Sequence, residues 1–196
     1  MPAGSQKCQE TVIILRNSHQ PPMPLFEKDP TATSVTPGTI QLLVFALRHE
    51  EYALGLTEIQ EIVPTPEITP VPNMPPAVKG VTNLRGRVVT VIDLETHFAL
   101  AGETTLKPYM IVTERGNELF GLLVEAARQV LRIRSDELKT TPDLLGAHAQ
   151  ADALKGVVVH EEQAIEHGKK IQTQASTRLI LALDLPKVLS HFSKNP

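Results

Sequence analysis

The chain has 196 residues, 41% apolar and 21% charged, with a formal charge of −3 and a pI near 6.2. A fold of this length buries roughly 70% of the extended chain's surface, so a hydrophobic core suffices without disulfides or metals. Mild acidity argues against nucleic acid or an anionic membrane held by bulk electrostatics, and two Tyr, five Phe and no Trp argue against a base-stacking platform or sugar cleft.

Residues 1–38 read as a flexible N-terminal tail, because Pro21, Pro22, Pro24, Pro30 and Pro37 interrupt a stretch rich in Gln, Ser and Thr. Its one apolar patch, 11–15, is too short for a membrane span or a signal-peptide core and has no cationic cluster before it. Cys8 has no internal partner, which points to a reducing compartment. The expectation is a cytoplasmic protein with no direct membrane insertion.

From residue 40 the pattern changes. The apolar run 40–47 predicts a well-buried strand, and the alternation of Tyr52, Leu54 and Leu56 predicts its returning partner. Residues 56–63 fit a helical face, but their β-branched content and Pro64 limit them to a short turn or strand. Six prolines between Pro64 and Pro76 impose a stiff, extended crossing that wraps the domain. Strands are predicted at 77–84 and 88–92 about a tight reversal in which Gly86 supplies positive φ. Asp93 then stands as the N-cap of a short helix over 94–100, with His97 on its exposed face.

The second half repeats this grammar. Strands are predicted at 109–113, 119–124, 129–133, 156–160 and 178–183, with a polar stretch over 161–176. The run VVTVIDL at 88–94 is echoed by LILALDL at 179–185, and the second copy leads into a helix over 185–192. About ten short strands and little helix predict an all-β fold. Two small five-stranded barrels, which hide their edges by closure, fit that count.

A search for chemistry finds little. The chain has no phosphate loop, no GxGxxG and no nucleophile elbow. His160, His167, Glu161, Glu162 and Glu166 match no zinc spacing and read as a solvated hairpin, so no metal and no cofactor is expected. Asp93 and His97, spaced i, i+4, are the best pair for a small hydrolase, although the cap role explains Asp93 better. What remains is Glu61, set between Ile59 and Ile62, together with Arg85 in the 83–86 turn.

Several segments together resemble the CheW-like domain of bacterial chemotaxis signalling. These are FAL at 45–47, EYAL at 51–54, IQEIV at 59–63, TPVPNMP at 69–75, GVTNLRG at 80–86 and VVTVIDL at 88–94, with weaker agreement at 120–124 and 179–189. The resemblance covers about 39–193 and implies two intertwined SH3-like barrels. It also implies a non-enzymatic adaptor that couples the cytoplasmic helical hairpin tip of a chemoreceptor to the regulatory domain of a histidine kinase. The receptor groove it implies comprises Leu56, Ile59, Glu61, Ile62, Gly80 and Arg85, with the kinase on the barrel formed by the second half. The same role in pilus motility or phototaxis fits equally. Two departures are Thr90, where the family usually has Pro, and the long 161–176 stretch.

Overall fold

The computed structural model describes residues 38–100, 106–140, 151–162, 165–166, 169–170 and 176–192. Cys8, the 11–15 patch, His167 and all of the expected tail up to residue 37 lie outside them.

The fold begins with the hairpin β1 (Thr39–Leu47) and β2 (Glu50–Gly55), paired antiparallel from Leu42↔Gly55 to Leu47↔Glu50. A 3-10 turn, Leu56–Glu58, leads into β3 (Ile59–Pro64), and after the proline crossing come β4 (Val78–Leu84) and β5 (Arg87–Asp93). Helix α1 (Leu94–His97) closes the first half. The second half runs through β6 (Tyr109–Arg115), β7 (Glu118–Val124), β8 (Ala126–Arg134), β9 (Leu138–Lys139) and β10 (Leu154–Glu162). It ends with the two-residue strands β11 (Ile165–Glu166) and β12 (Lys169–Lys170), then β13 (Ser176–Leu183) and α2 (Leu185–Ser190).

Two large sheets result, in the orders β8-β1-β2-β13-β10-β9 (barrel I) and β3-β6-β7-β5-β4 (barrel II), with β11 and β12 paired as a separate two-stranded ribbon. The halves exchange strands: β3 leaves its hairpin to pair with β6, while β8 returns to pair with β1. Each barrel therefore combines a hairpin from one half with strands from the other: β1-β2 with β8, β9, β10 and β13 in barrel I, and β6-β7 with β3, β4 and β5 in barrel II. The echo in the sequence marks equivalent places, because β5 pairs parallel with β7 and β13 pairs parallel with β2. The Asp93 amide donates to the Ala77 carbonyl and the Asp184 amide to the Ala153 carbonyl, both at 2.8 Å. The intertwined all-β barrels expected from the sequence are present.

The side-chain period of two sorts each strand between two cores. Leu42 and Val44 fill barrel I, whereas Leu43, Phe45 and Leu47 enter a layer between the barrels. Likewise Met110, Val112, Leu119 and Leu123 fill barrel II, and Ile111, Phe120 and Leu122 face the shared layer. This explains why 42–47, after the half-buried Gln41, shows no polar alternation: both faces of β1 are buried there.

The proline crossing closes barrel II. Thr69 and Val81 exchange backbone hydrogen bonds of 2.8 and 2.9 Å, and the Thr82 hydroxyl donates to the Glu67 carbonyl at 2.8 Å. Gly80 permits the approach. Its φ is +146°, and a Cβ there would lie 2.1 Å from the Thr69 carbonyl oxygen.

One local expectation is made specific and three are corrected. Residues 56–63 divide into a 3-10 turn and a strand, because Glu58 reaches back to the Gly55 amide at 3.0 Å and tightens the turn. The first helix stops at His97 rather than 100, since Ala99 turns left-handed (φ 51°) and the Leu100 amide donates to the Glu95 carbonyl at 3.0 Å. The second helix ends at Ser190 rather than 192. The expected strand at 129–133 runs from Ala126 to Arg134, pairing with β1 over most of its length.

Candidate functional site

The reversal between β4 and β5 joins Leu84 to Arg87 through two residues of positive φ, Arg85 (52°) and Gly86 (83°). Positive φ at both central positions makes this a type I′ turn, whose twist matches the flanking strands. The Asn83 Oδ1 accepts the Gly86 amide at 2.8 Å and reinforces it. Sequence reasoning assigned positive φ to Gly86 alone; Arg85 shares it, in a conformation that costs a non-glycine residue about 1–2 kcal/mol.

The turn carries the Arg85 guanidinium to β3, at the opposite edge of the sheet. Arg85 Nη2 donates to Glu61 Oε2 at 2.8 Å, so the two groups meet across the mouth of the barrel. The Arg85 side chain is 68% exposed and that of Glu61 23%. A second pair, Arg87 Nη2 to Glu114 Oε1 at 2.8 Å, continues the rim.

The apolar residues near Glu61 are divided by a bulge in β3 between Ile59 and Glu61. Glu61 pairs with Val112 and shares its barrel II face, whereas Ile62 pairs with Ile111 and shares the inter-barrel face. Ile59 is 6% exposed and belongs to the core. Leu56 and Ile62 are half-buried against that layer, at the crossover from barrel I to barrel II. Gly80 is buried and acts through its backbone. The structure thus brings Glu61 to Arg85, packs Leu56 and Ile62 separately against the inter-barrel layer, buries Ile59 in that layer, and sets Gly80 on β4 against the proline crossing. Val88, 66% exposed and paired with Asn83, was missed by sequence reasoning. Its signal was its place at the head of VVTVIDL, before the buried alternation begins.

Asp93 and His97 are engaged elsewhere. The Asp93 carboxylate accepts the Glu95 amide at 3.1 Å and the Thr96 hydroxyl at 2.9 Å, and pairs with Lys79 at 3.3 Å and Lys107 at 3.4 Å. Burial pushes its pKa up, but the Thr96 hydroxyl and the Lys107 and Lys79 ammoniums outweigh it and hold the group below the usual carboxylate range. Its stabilisation is therefore complete above the unfolded pKa of about 4 and is lost as pH falls through the depressed folded value. Denaturant titrations from pH 5 to pH 2 should show a loss of stability that is smaller in Asp93→Asn; an identical acid limb in the variant would remove Asp93 as its source.

His97 leaves the exposed face expected for it. Its ring packs 5.0 Å from Phe98, 4.9 Å from Phe192 and 5.4 Å from His191, joining the ends of the two helices. Burial, then His191, lowers its pKa below 6.5. Among the described residues no group of three or more His, Cys, Asp or Glu could hold a metal ion, and no helix is long and apolar enough to cross a membrane.

Interlocked SH3-like barrels, with a charged pair spanning one barrel mouth, define a two-barrel all-β domain. The model of the CheW-like domain matches residues 41–193, and the chain belongs to that family. It is 35% identical over 107 residues to the chemotaxis protein CheW of Klebsiella aerogenes, an alignment covering 53% of this chain and 63% of that protein, so it spans less than two thirds of that relative's length. With the chemotaxis protein CheW of Rhizobium meliloti it shares 30% identity over 135 residues, covering 68% of this chain and 86% of the other. In fold it is similar to the crystal structure of the scaffolding protein TtCheW from Thermoanaerobacter tengcongensis, with a TM-score of 0.61, 22% identity, and coverage of 87% of this chain and 91% of that one.

Proposed function

We propose that residues 39–193 form a non-enzymatic chemotaxis adaptor, working in the cytoplasm, that grips the helical hairpin tip of a chemoreceptor along the β3 edge. The observation that supports this most is the Glu61–Arg85 contact of 2.8 Å beside Leu56 and Ile62. A receptor helix laid along the edge buries its apolar face on Leu56 and Ile62 and meets the Arg85 fork with polar groups. Glu61 holds the guanidinium extended across the mouth, so less side-chain freedom is lost on binding. The regulatory domain of a histidine kinase docks on barrel I, the barrel completed by the C-terminal strands β10 and β13, which leaves the β3 edge open to the receptor.

Arg85→Glu puts two carboxylates face to face at the rim. Pull-down by a chemoreceptor cytoplasmic-tip fragment should fall at least tenfold. The thermal midpoint should move by only a few degrees, because an exposed pair contributes about 0.2–1 kcal/mol. Undiminished capture by the folded variant would overturn the assignment.

A further inference from the structure

A chain of charges lies at the other end of the inter-barrel layer, away from Leu56. Lys107, on the segment entering β6, pairs with Glu95 at 3.1 Å and with Asp93 at 3.4 Å. Glu95 also pairs at 3.3 Å with Arg48, which sits in the β1–β2 turn of barrel I, and Asp93 pairs with Lys79 on β4. The Arg48 amide donates to the Glu125 carboxylate, where the chain crosses back from barrel II to barrel I. The Lys107 side chain is 7% exposed, against 12% for Arg48 and 41% for Lys79. Asp93 and Glu95 are 4% and 2% exposed.

A buried ammonium that touches two buried carboxylates is held in one place, since moving it takes from each carboxylate one of its two cationic partners in the interior, where lost pairing is costly. Its backbone is fixed with it, and that backbone holds β3. The Thr65 hydroxyl donates to the Lys107 carbonyl at 2.7 Å, and the Thr65 amide donates to the Pro108 carbonyl at 2.9 Å. Thr65 directly follows Pro64, the last residue of the strand that carries Glu61 and Ile62.

We propose that Lys107 is a buried positioning residue that fixes the exit of β3, and with it the Glu61–Ile62 edge, against both barrels. It touches no partner itself. Removing its charge loosens the 106–108 segment, frees the end of β3 and lets the edge drift from Arg85, while the strand ladders of barrel I stay closed. The role in partner binding rests on the function proposed above; the mechanical role does not.

The test is native-state hydrogen exchange on the full chain, comparing wild type with Lys107→Met and Lys107→Arg. In Lys107→Met the Thr65 amide should exchange at least tenfold faster, while the Asp184 amide, bonded to the Ala153 carbonyl in barrel I, keeps its wild-type rate. Lys107→Arg, which retains the cation, should recover most of the protection. Unchanged Thr65 exchange, or equal acceleration of Thr65 and Asp184, would overturn the proposal. Thr65→Val keeps every charge, removes only the hydroxyl bond to the Lys107 carbonyl and should accelerate the residue-65 amide severalfold; if Lys107→Met does not fold, Lys107→Gln, which also lacks the charge, takes its place with the same expected and overturning results. Binding of the receptor-tip fragment is measured in parallel. If wild type does not bind it, the adaptor reading fails while the exchange result still judges Lys107.

Discussion

Gly80→Ala should lower the thermal midpoint by roughly 10 °C, the largest loss expected from a glycine-to-alanine change among the described residues. At φ +146° the new Cβ would sit 2.1 Å from the Thr69 carbonyl oxygen, 2.7 Å from its carbon and 2.9 Å from the Pro70 Cα. All three are backbone atoms, so no side chain can swing aside. Either the crossing lifts off β4, breaking the paired Thr69–Val81 bonds, or β4 distorts at its bulge. Two hydrogen bonds at about 0.5–1.5 kcal/mol each, plus about 1–3 kcal/mol of backbone strain, give a loss of about 2–6 kcal/mol. At this size each kcal/mol moves the midpoint by about 2–4 °C. Gly86→Ala is the control: φ is +83° there as well, but nothing lies within 4 Å of the added Cβ. A scan in which the two variants melt together would show that the crossing is not held against Gly80.

Arg85→Asn should separate binding from stability. Asn tolerates the left-handed conformation that position 85 adopts, so the variant recovers about 1 kcal/mol of backbone strain. It gives up only the exposed pair with Glu61, worth about 0.2–1 kcal/mol. The folded protein should therefore be as stable as wild type or slightly more so. Binding behaves differently, because hydrogen bonds from a guanidinium to a partner are worth about 1.5–3 kcal/mol, or roughly ten- to a hundredfold in affinity. Calorimetry with the receptor-tip fragment, beside a denaturant melt, reads both quantities. Wild-type affinity in Arg85→Asn would remove Arg85 from the site, and a large drop in stability would contradict the turn geometry.

Strand locations were legible because they depend on local rules. The apolar run of β1, the alternation of Tyr52 and Leu54, and the Asp-Leu endings after β5 and β13 each announce themselves within a few residues. The capping of α1 by Asp93 was read correctly from type and place. The site was legible only as two residues worth pairing. Ordinary alternation sets Glu61 opposite Ile62, but nothing near Glu61 shows that a bulge also turns it away from Ile59, because a bulge is set by the partner strand rather than by the sequence that contains it. Lys107 was invisible for a related reason: a lysine before a strand reads as solvated until Asp93, Glu95 and Thr65 are seen to surround it.

Residue chemistry alone pointed to an all-β chain, a stiff proline crossing and a reversal at Gly86, and one echo suggested two similar units, since propensity, periodicity and the limits on φ act over short distances. Which hairpin completes which barrel, which face of β3 each side chain takes, and which charges end up buried together were settled only by folding in three dimensions. Those outcomes follow from contacts between residues tens of positions apart, where burial and pairing energies outweigh any preference the neighbouring residues express.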